Sequence, residues 1–129
     1  MREIKFRAWH TNRDDMLHWE SLQDIANLTT LFEGGNWIPM QYTGLRDKNG
    51  VEIYEGDIIA TYSYVDEHGA KVDLELYPVE YYGYEGYPAF NLKGWEGDFN
   101  GLFDLHDSDE PFEVIGNIYE NPELLKEVA

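Results

Sequence analysis

The centre of the chain reads QYTGLRDKNGVEIYEGDII, Gln41 to Ile59, and its Asn49-Gly50 step constrains the backbone more than any other pair of residues. Asn-Gly is the dipeptide that best tolerates positive φ at two successive positions, which a two-residue type I′ hairpin turn demands. Strand-forming residues flank it, with Met40, Tyr42 and Leu45 before and Val51, Ile53 and Tyr54 after. Gly56-Asp57 then permits a sharp redirection before Ile58, Ile59, Ala60 and Thr61 open another strand. The stretch predicts a hairpin feeding a third strand, with Gly44, Asn49, Gly50, Gly56 and Asp57 as turn and packing determinants. A calcium loop through Asp47, Asn49 and Glu52 is the competing reading. It fails because the glycine of an EF-hand loop would fall on Glu52, and apolar Val51 would occupy a ligand position.

Short strands recur on both sides of this centre. REIKFRAWH alternates Ile4, Phe6 and Ala8 with Lys5, Arg7 and Trp9, as a half-buried strand does. Thr11 to Asp15 is a polar turn, and Met16 to Trp19 returns as a second strand. SLQDIANL predicts a short helix near residues 21–28, capped by Ser21 with Leu22, Ile25 and Leu28 on one face. Later come ATYSYV, a turn at Glu67-His68-Gly69, and KVDLELY with Val72, Leu74 and Leu76 in step. YYGYEGY, an AFNLKGW strand, a Gly-Asp-Phe-Asn-Gly turn, LFDL, an acidic HDSDEP loop and FEVIGNIY follow. In the closing ENPELLKEVA, Asn121 suits the N-cap, Pro122 the first helical position and Glu123 the helix N-terminus. Many brief strands between turn signals predict a mainly β fold, a small barrel or curled antiparallel sheet with a short C-terminal helix.

The 129 residues suit one domain, with N-terminal strands and a connector over 1–40 and a β-rich part over 41–129. The absence of cysteine removes thiol catalysis, thiolate metal sites and disulfides, and fits a reducing compartment. MREIKFRAWH carries charge where a signal peptide is apolar, and no run is long enough to span a membrane. The expectation is a cytoplasmic protein with no membrane partner.

Charge is unevenly spread. Residues 1–48 hold six Lys/Arg against seven Asp/Glu, whereas residues 49–129 hold three against nineteen. The second part therefore carries −16 of the net −17. Such a surface repels phosphate backbones, so direct nucleic acid binding by this half is not expected. Its many Tyr, Phe, Ile and Leu mark it as folded rather than a disordered acidic tail.

Three segments together, MREIKFRAW, MQYTGLRDKNGVEIYEGDII and FEVIGNIYENPELL, resemble the YopX family of phage and prophage proteins. The resemblance spans both ends and the middle, leaving residues 65–105 as a member-specific region. It implies a bacterial host cell setting and brings no enzymatic chemistry or catalytic residues with it.

The residues themselves point away from catalysis. His10 and His18 lie on neighbouring predicted strands, but two imidazoles without a third ligand make a poor zinc site. Asp104, His106, Asp107, Asp109 and Glu110 read as a solvated acidic loop, since their spacing matches no calcium loop. Ser108 between His106 and Asp109 is no triad, because sequence neighbours in one loop rarely converge. No nucleophile elbow, phosphate loop or dinucleotide fingerprint occurs, so neither an enzyme nor a cofactor is expected. Tyr81, Tyr82, Tyr84 and Tyr87 read first as a hairpin with tyrosines paired across its strands, and second as a protein-binding patch.

Two functions remain. One is a non-enzymatic module that binds a host or phage protein. The other is an acidic decoy that imitates nucleic acid and occupies a basic host protein, with Glu96 to Glu123 supplying one row of charge. A homo-oligomer is also expected, built through Trp9, Trp19, Trp37 and the cations Arg2, Lys5, Arg7 and Arg13. The bland alternative is that these cations pair within their own chain and the tryptophans are core.

Overall fold

The computed structural model describes residues 4–23, 31, 33–84, 87–95, 102, 105–106 and 111–127, with 82–84, 87–89 and 126–127 as backbone only. Among the described residues, ten strands and two short helices are delimited. They are β1 (Phe6–His10), β2 (Asp15–Leu17), α1 (Trp19–Leu22), β3 (Trp37–Arg46), β4 (Glu52–Tyr54) and β5 (Asp57–Thr61), then β6 (Tyr64–Val65), β7 (Lys71–Val72), β8 (Glu75–Tyr84), β9 (Tyr87–Leu92), β10 (Phe112–Asn117) and α2 (Glu123–Glu127). Two four-stranded antiparallel sheets, ordered β2-β1-β3-β4 and β10-β5-β8-β9, curl into a half-barrel. β6 and β7 form a separate two-stranded ribbon. The mainly β expectation, with a C-terminal helix, stands.

The hairpin at the centre forms, but not through a type I′ turn. Gly50 has φ +83°, whereas Asn49 is not among the residues with positive φ. Asp47 closes the turn instead. Its Oδ1 accepts from the Asn49 and Val51 N–H groups, both at 2.9 Å, and its carbonyl accepts from Gly50 N–H at 3.0 Å. The side chain thus replaces the second left-handed residue that a two-residue turn requires. The same device recurs in the ribbon. There Asp66 Oδ1 accepts from the His68 and Ala70 N–H groups at 2.9 Å, and Gly69 has φ +82°. Between Tyr42↔Tyr54 and Arg46↔Glu52 the β3–β4 ladder slips, and Gly44 sits in the irregularity with φ +88°. Thr43 fills the gap by donating its hydroxyl to the Ile53 carbonyl at 2.8 Å.

Four other expectations change. β1 is not half-buried, since Arg7, Ala8, Trp9 and His10 are all buried on its two faces. The second strand ends at Leu17, and Trp19 opens α1 after His18, so Ser21 lies inside the helix rather than at its cap. Residues 24–28 of the predicted helix lie outside the described residues. Val72 and Leu76 do not share one strand, because Asp73 turns the chain at φ +59° and leaves Leu74 exposed. The Asn121 side chain reaches back to β10, where its Oδ1 accepts from Asn117 N–H, and its carbonyl accepts from Leu124 N–H of α2.

The main core lies against the second sheet. Ile59, Val79, Phe90, Leu92 and Phe112 pack there with Ile53 of β4, Leu102 and Leu105. The hydrophobic interior therefore belongs to the acidic part of the chain. β5 runs through it, buried at four successive positions from Asp57 to Ala60.

Candidate functional site: the seam between the sheets

Gly56-Asp57 joins the two sheets, and buried polar contacts converge on it. Arg7 comes from β1 of the first sheet and Asp57 from β5 of the second. Arg7 is 8% exposed and Asp57 2%, and their side chains meet at 2.7 Å. Asp57 Oδ2 accepts from Tyr54 N–H at 2.7 Å, and Arg7 also donates to the Glu55 carbonyl at 3.2 Å. The guanidinium lies over the Tyr54 ring, 4.9 Å from its centroid. Burial pushes the Asp57 carboxyl above its ordinary value, although the Arg7 charge and the Tyr54 N–H pull it back. Burial likewise raises the phenols of Tyr54 and Tyr119, so both remain protonated at neutral pH.

Gly56 is fixed by conformation and by space. Its φ is +83°, and a Cβ there would meet Met40 Sδ at 3.0 Å and Tyr119 Cε2 at 3.4 Å. Gly56 N–H donates to the Val79 carbonyl and its carbonyl accepts from Ile118 N–H, each at 2.8 Å. One residue thereby ties β8 to the turn after β10. Tyr119 in that turn stacks on Trp9 with ring centroids 5.7 Å apart. Asp47 makes a second tie between the sheets, because its Oδ2 accepts from Val114 N–H of β10 at 2.8 Å. Asn117 shapes the turn after β10 itself, since its Oδ1 accepts from the Tyr119 and Glu120 N–H groups.

What this seam can do chemically is limited. Both Asp57 oxygens accept hydrogen bonds and the residue is buried, so the carboxylate is not presented to a substrate at the surface. Among the described residues, no group of three His, Asp or Glu side chains could hold a metal ion. His10 is buried, accepts from Asn12 N–H at 3.1 Å and meets Trp37 edge-on at 4.6 Å. It is a packed side chain.

The other candidate residues fall into separate places. Gly44, Asn49 and Gly50 belong to the β3–β4 hairpin, with Asn49 donating to Glu113 at 3.3 Å. Tyr84 faces Tyr87 and Tyr82 faces Ala89 in the β8–β9 ladder, while Tyr81 faces Phe90, meets it edge-on and is exposed. The tyrosine run is thus a cross-strand hairpin along its backbone. His106 is exposed, and positions 104 and 107–110, which hold the acids of this loop, lie outside the described residues. Of the cations expected to dock against a second copy, Lys5 pairs with Glu52 at 2.7 Å and Arg7 with Asp57, and Trp9 is buried. For these three residues the intrachain alternative is what the fold uses. Sequence reasoning missed Asp47, Arg7 and Asn117. Only Asp47 left a local signal, the Asp-x-x-Gly spacing shared by Asp47-Gly50 and Asp66-Gly69.

No helix among the described residues is long and apolar enough to cross a membrane. No curated protein matches the chain. Among solved structures, the crystal structure of protein EF1440 from Enterococcus faecalis is similar at 28% identity and a TM-score of 0.66, covering 97% of this chain and 99% of that one. Arg7 and the Gly56-Asp57 step both lie inside the stretch matched by a family model, and that match fixes the assignment. With residues 5–126 matching the model of the YopX protein family, the chain belongs to that family.

Proposed function

We propose that this protein is a non-enzymatic interaction module that binds a host or phage protein in the cytoplasm of a bacterial cell. The observation that carries the reading is the β6–β7 ribbon. Tyr64 and Val65 are successive residues of β6 and point to opposite faces, yet they are 59% and 51% exposed. Both faces of the ribbon therefore present apolar side chains to water, with Leu74 exposed at its base. A two-stranded ribbon open on both faces is marginal by itself, so a covering partner accounts for its retention. The buried seam supports the same reading, because the Arg7–Asp57 pair is spent on joining the sheets.

A photo-crosslinking residue placed at Tyr64, with a control at exposed Arg13, tests this in cells. An adduct at Tyr64 and none at Arg13 is expected, and equal labelling at both positions counts against the module. Capture that persists at high salt separates it from an acidic decoy, whose partner should dissociate steeply as salt rises. Light scattering on the purified protein tests the homo-oligomer.

A further inference from the structure

We propose that the β6–β7 ribbon takes an extended basic amphipathic segment of its partner, one that alternates Lys or Arg with large apolar residues. This rests on the interaction reading above and adds the chemistry of the occupant. The ribbon's apolar side chains sit in a strongly acidic setting. Residues 62–75 hold Asp66, Glu67, Asp73 and Glu75 against one cation, Lys71. That cation is withdrawn from the ribbon's face, because its ammonium bonds Glu113 of β10 and lies 5.2 Å from the centroid of the Tyr62 ring. What remains for a visitor is Tyr64, Val65 and Leu74 among unneutralised carboxylates.

The backbone supplies the geometry. In its sheet β6 pairs only with β7, through Tyr64↔Val72 and Val65↔Lys71, so each strand has an outer edge without a sheet partner among the described residues. An incoming strand gains main-chain hydrogen bonds along such an edge and reads its neighbours with alternate side chains. The ribbon is prepared for this. Asp66 and Gly69 fix its tip, and Ser63 bonds Asp73 at 2.9 Å across its base. Little ordering is then left to accomplish on binding. A second copy of the chain is a poor occupant, since it would set one acidic ribbon against another and like charges oppose docking.

The test uses the full chain and three labelled synthetic peptides, alternating Lys-Leu, Lys-Ser and Glu-Leu, followed by fluorescence anisotropy. The Lys-Leu peptide should bind about tenfold more tightly than either of the others. The Tyr64→Ser/Val65→Ser variant should lose about tenfold for Lys-Leu, and Leu74→Ser should lose several-fold, while Glu123→Lys on α2 leaves binding unchanged. Leu74→Ser keeps the question open to refutation should the double variant fold poorly. Equal binding of Lys-Ser overturns the proposal, because charge alone would then suffice, and so does Lys-Leu binding that none of the ribbon variants weakens. Self-association of the parent that Tyr64→Ser/Val65→Ser abolishes also overturns it in favour of a second copy. If Tyr64 crosslinks a partner in cells but Lys-Leu does not bind, the partner chemistry is refuted and the interaction module survives. If both experiments fail, both readings fall.

Discussion

Removing one member of the Arg7–Asp57 pair should cost far more than removing both. Asp57→Ala leaves a buried guanidinium without its carboxylate and Tyr54 N–H without an acceptor. Breaking a buried ion pair this way costs about 3–5 kcal/mol. At about 2.1 cal/mol/K per residue, the 129-residue chain unfolds with an entropy of about 270 cal/mol/K, so a 4 kcal/mol loss lowers Tm by about 15 °C. Arg7→Met should cost a similar amount at neutral pH. The double variant Arg7→Met/Asp57→Leu should lose less than either single one, because burial already outweighs the Arg7 charge at Asp57. The two single variants also differ in pH response. Without Arg7 the Asp57 carboxyl is pushed further up, so acidification lets it protonate and the deficit of Arg7→Met shrinks. Asp57→Ala has no such escape, because a guanidinium does not lose its proton. Thermal melts by circular dichroism at pH 7 and pH 5.5 read all of this. Single variants that melt within about 3 °C of the parent, or a double variant worse than the sum of its parts, would refute a seam held by this pair.

Gly56→Ala should destabilise more than Gly50→Ala, since both need positive φ but only Gly56 has Met40 Sδ at 3.0 Å from the added carbon, and chemical denaturation ranks them. Asp47→Ala should cost about 2–3 kcal/mol through the Val114 N–H left without its acceptor, with Asp47→Asn recovering part of it in the same assay. The parent should gain stability from pH 7 to pH 5.5 at low salt. The folded Asp57 holds its proton more readily than the unfolded chain does, so its contribution grows as pH falls. A Tm that falls steadily over that range contradicts this cause. Gly50→Val should cost about 1–2 kcal/mol from backbone strain, and His10→Ala a comparable amount because that ring is packed against Trp37, so melts that separate them widely refute the shared scale.

The parts of the fold legible in the sequence were those written in neighbouring residues. Gly50 and Gly56 announced turns because only glycine adopts their φ cheaply. The C-terminal helix, the Tyr-rich hairpin and the β class were visible in the same local way. The seam was not, because its partners are remote. Arg7 and Asp57 are fifty positions apart, and Arg7 occupies an alternation position that normally means solvent. Nothing in REIKFRAWH says that the turn after β10 will cover the outer face of β1. Asp47 was visible only as a failed calcium ligand. Its carboxylate does gather three donors, but they are main-chain N–H groups.

The two Asp-x-x-Gly turns carry this contrast into function. Asp47 and Asp66 build the same loop with the same main-chain donors, so local stereochemistry does not distinguish them. Their second carboxylate oxygens and their surroundings do. The Asp47 loop reaches β10 through Val114 and Lys48 N–H, and the strands beside it enter the core through Ile53. The strands beside Asp66 carry Tyr64 and Val65, which enter no core. A turn that stiff costs conformational entropy wherever it is placed. At Asp47 the core offsets that cost within the chain. At Asp66 the described fold offers no comparable burial, and the missing apolar contact is what a partner strand would supply.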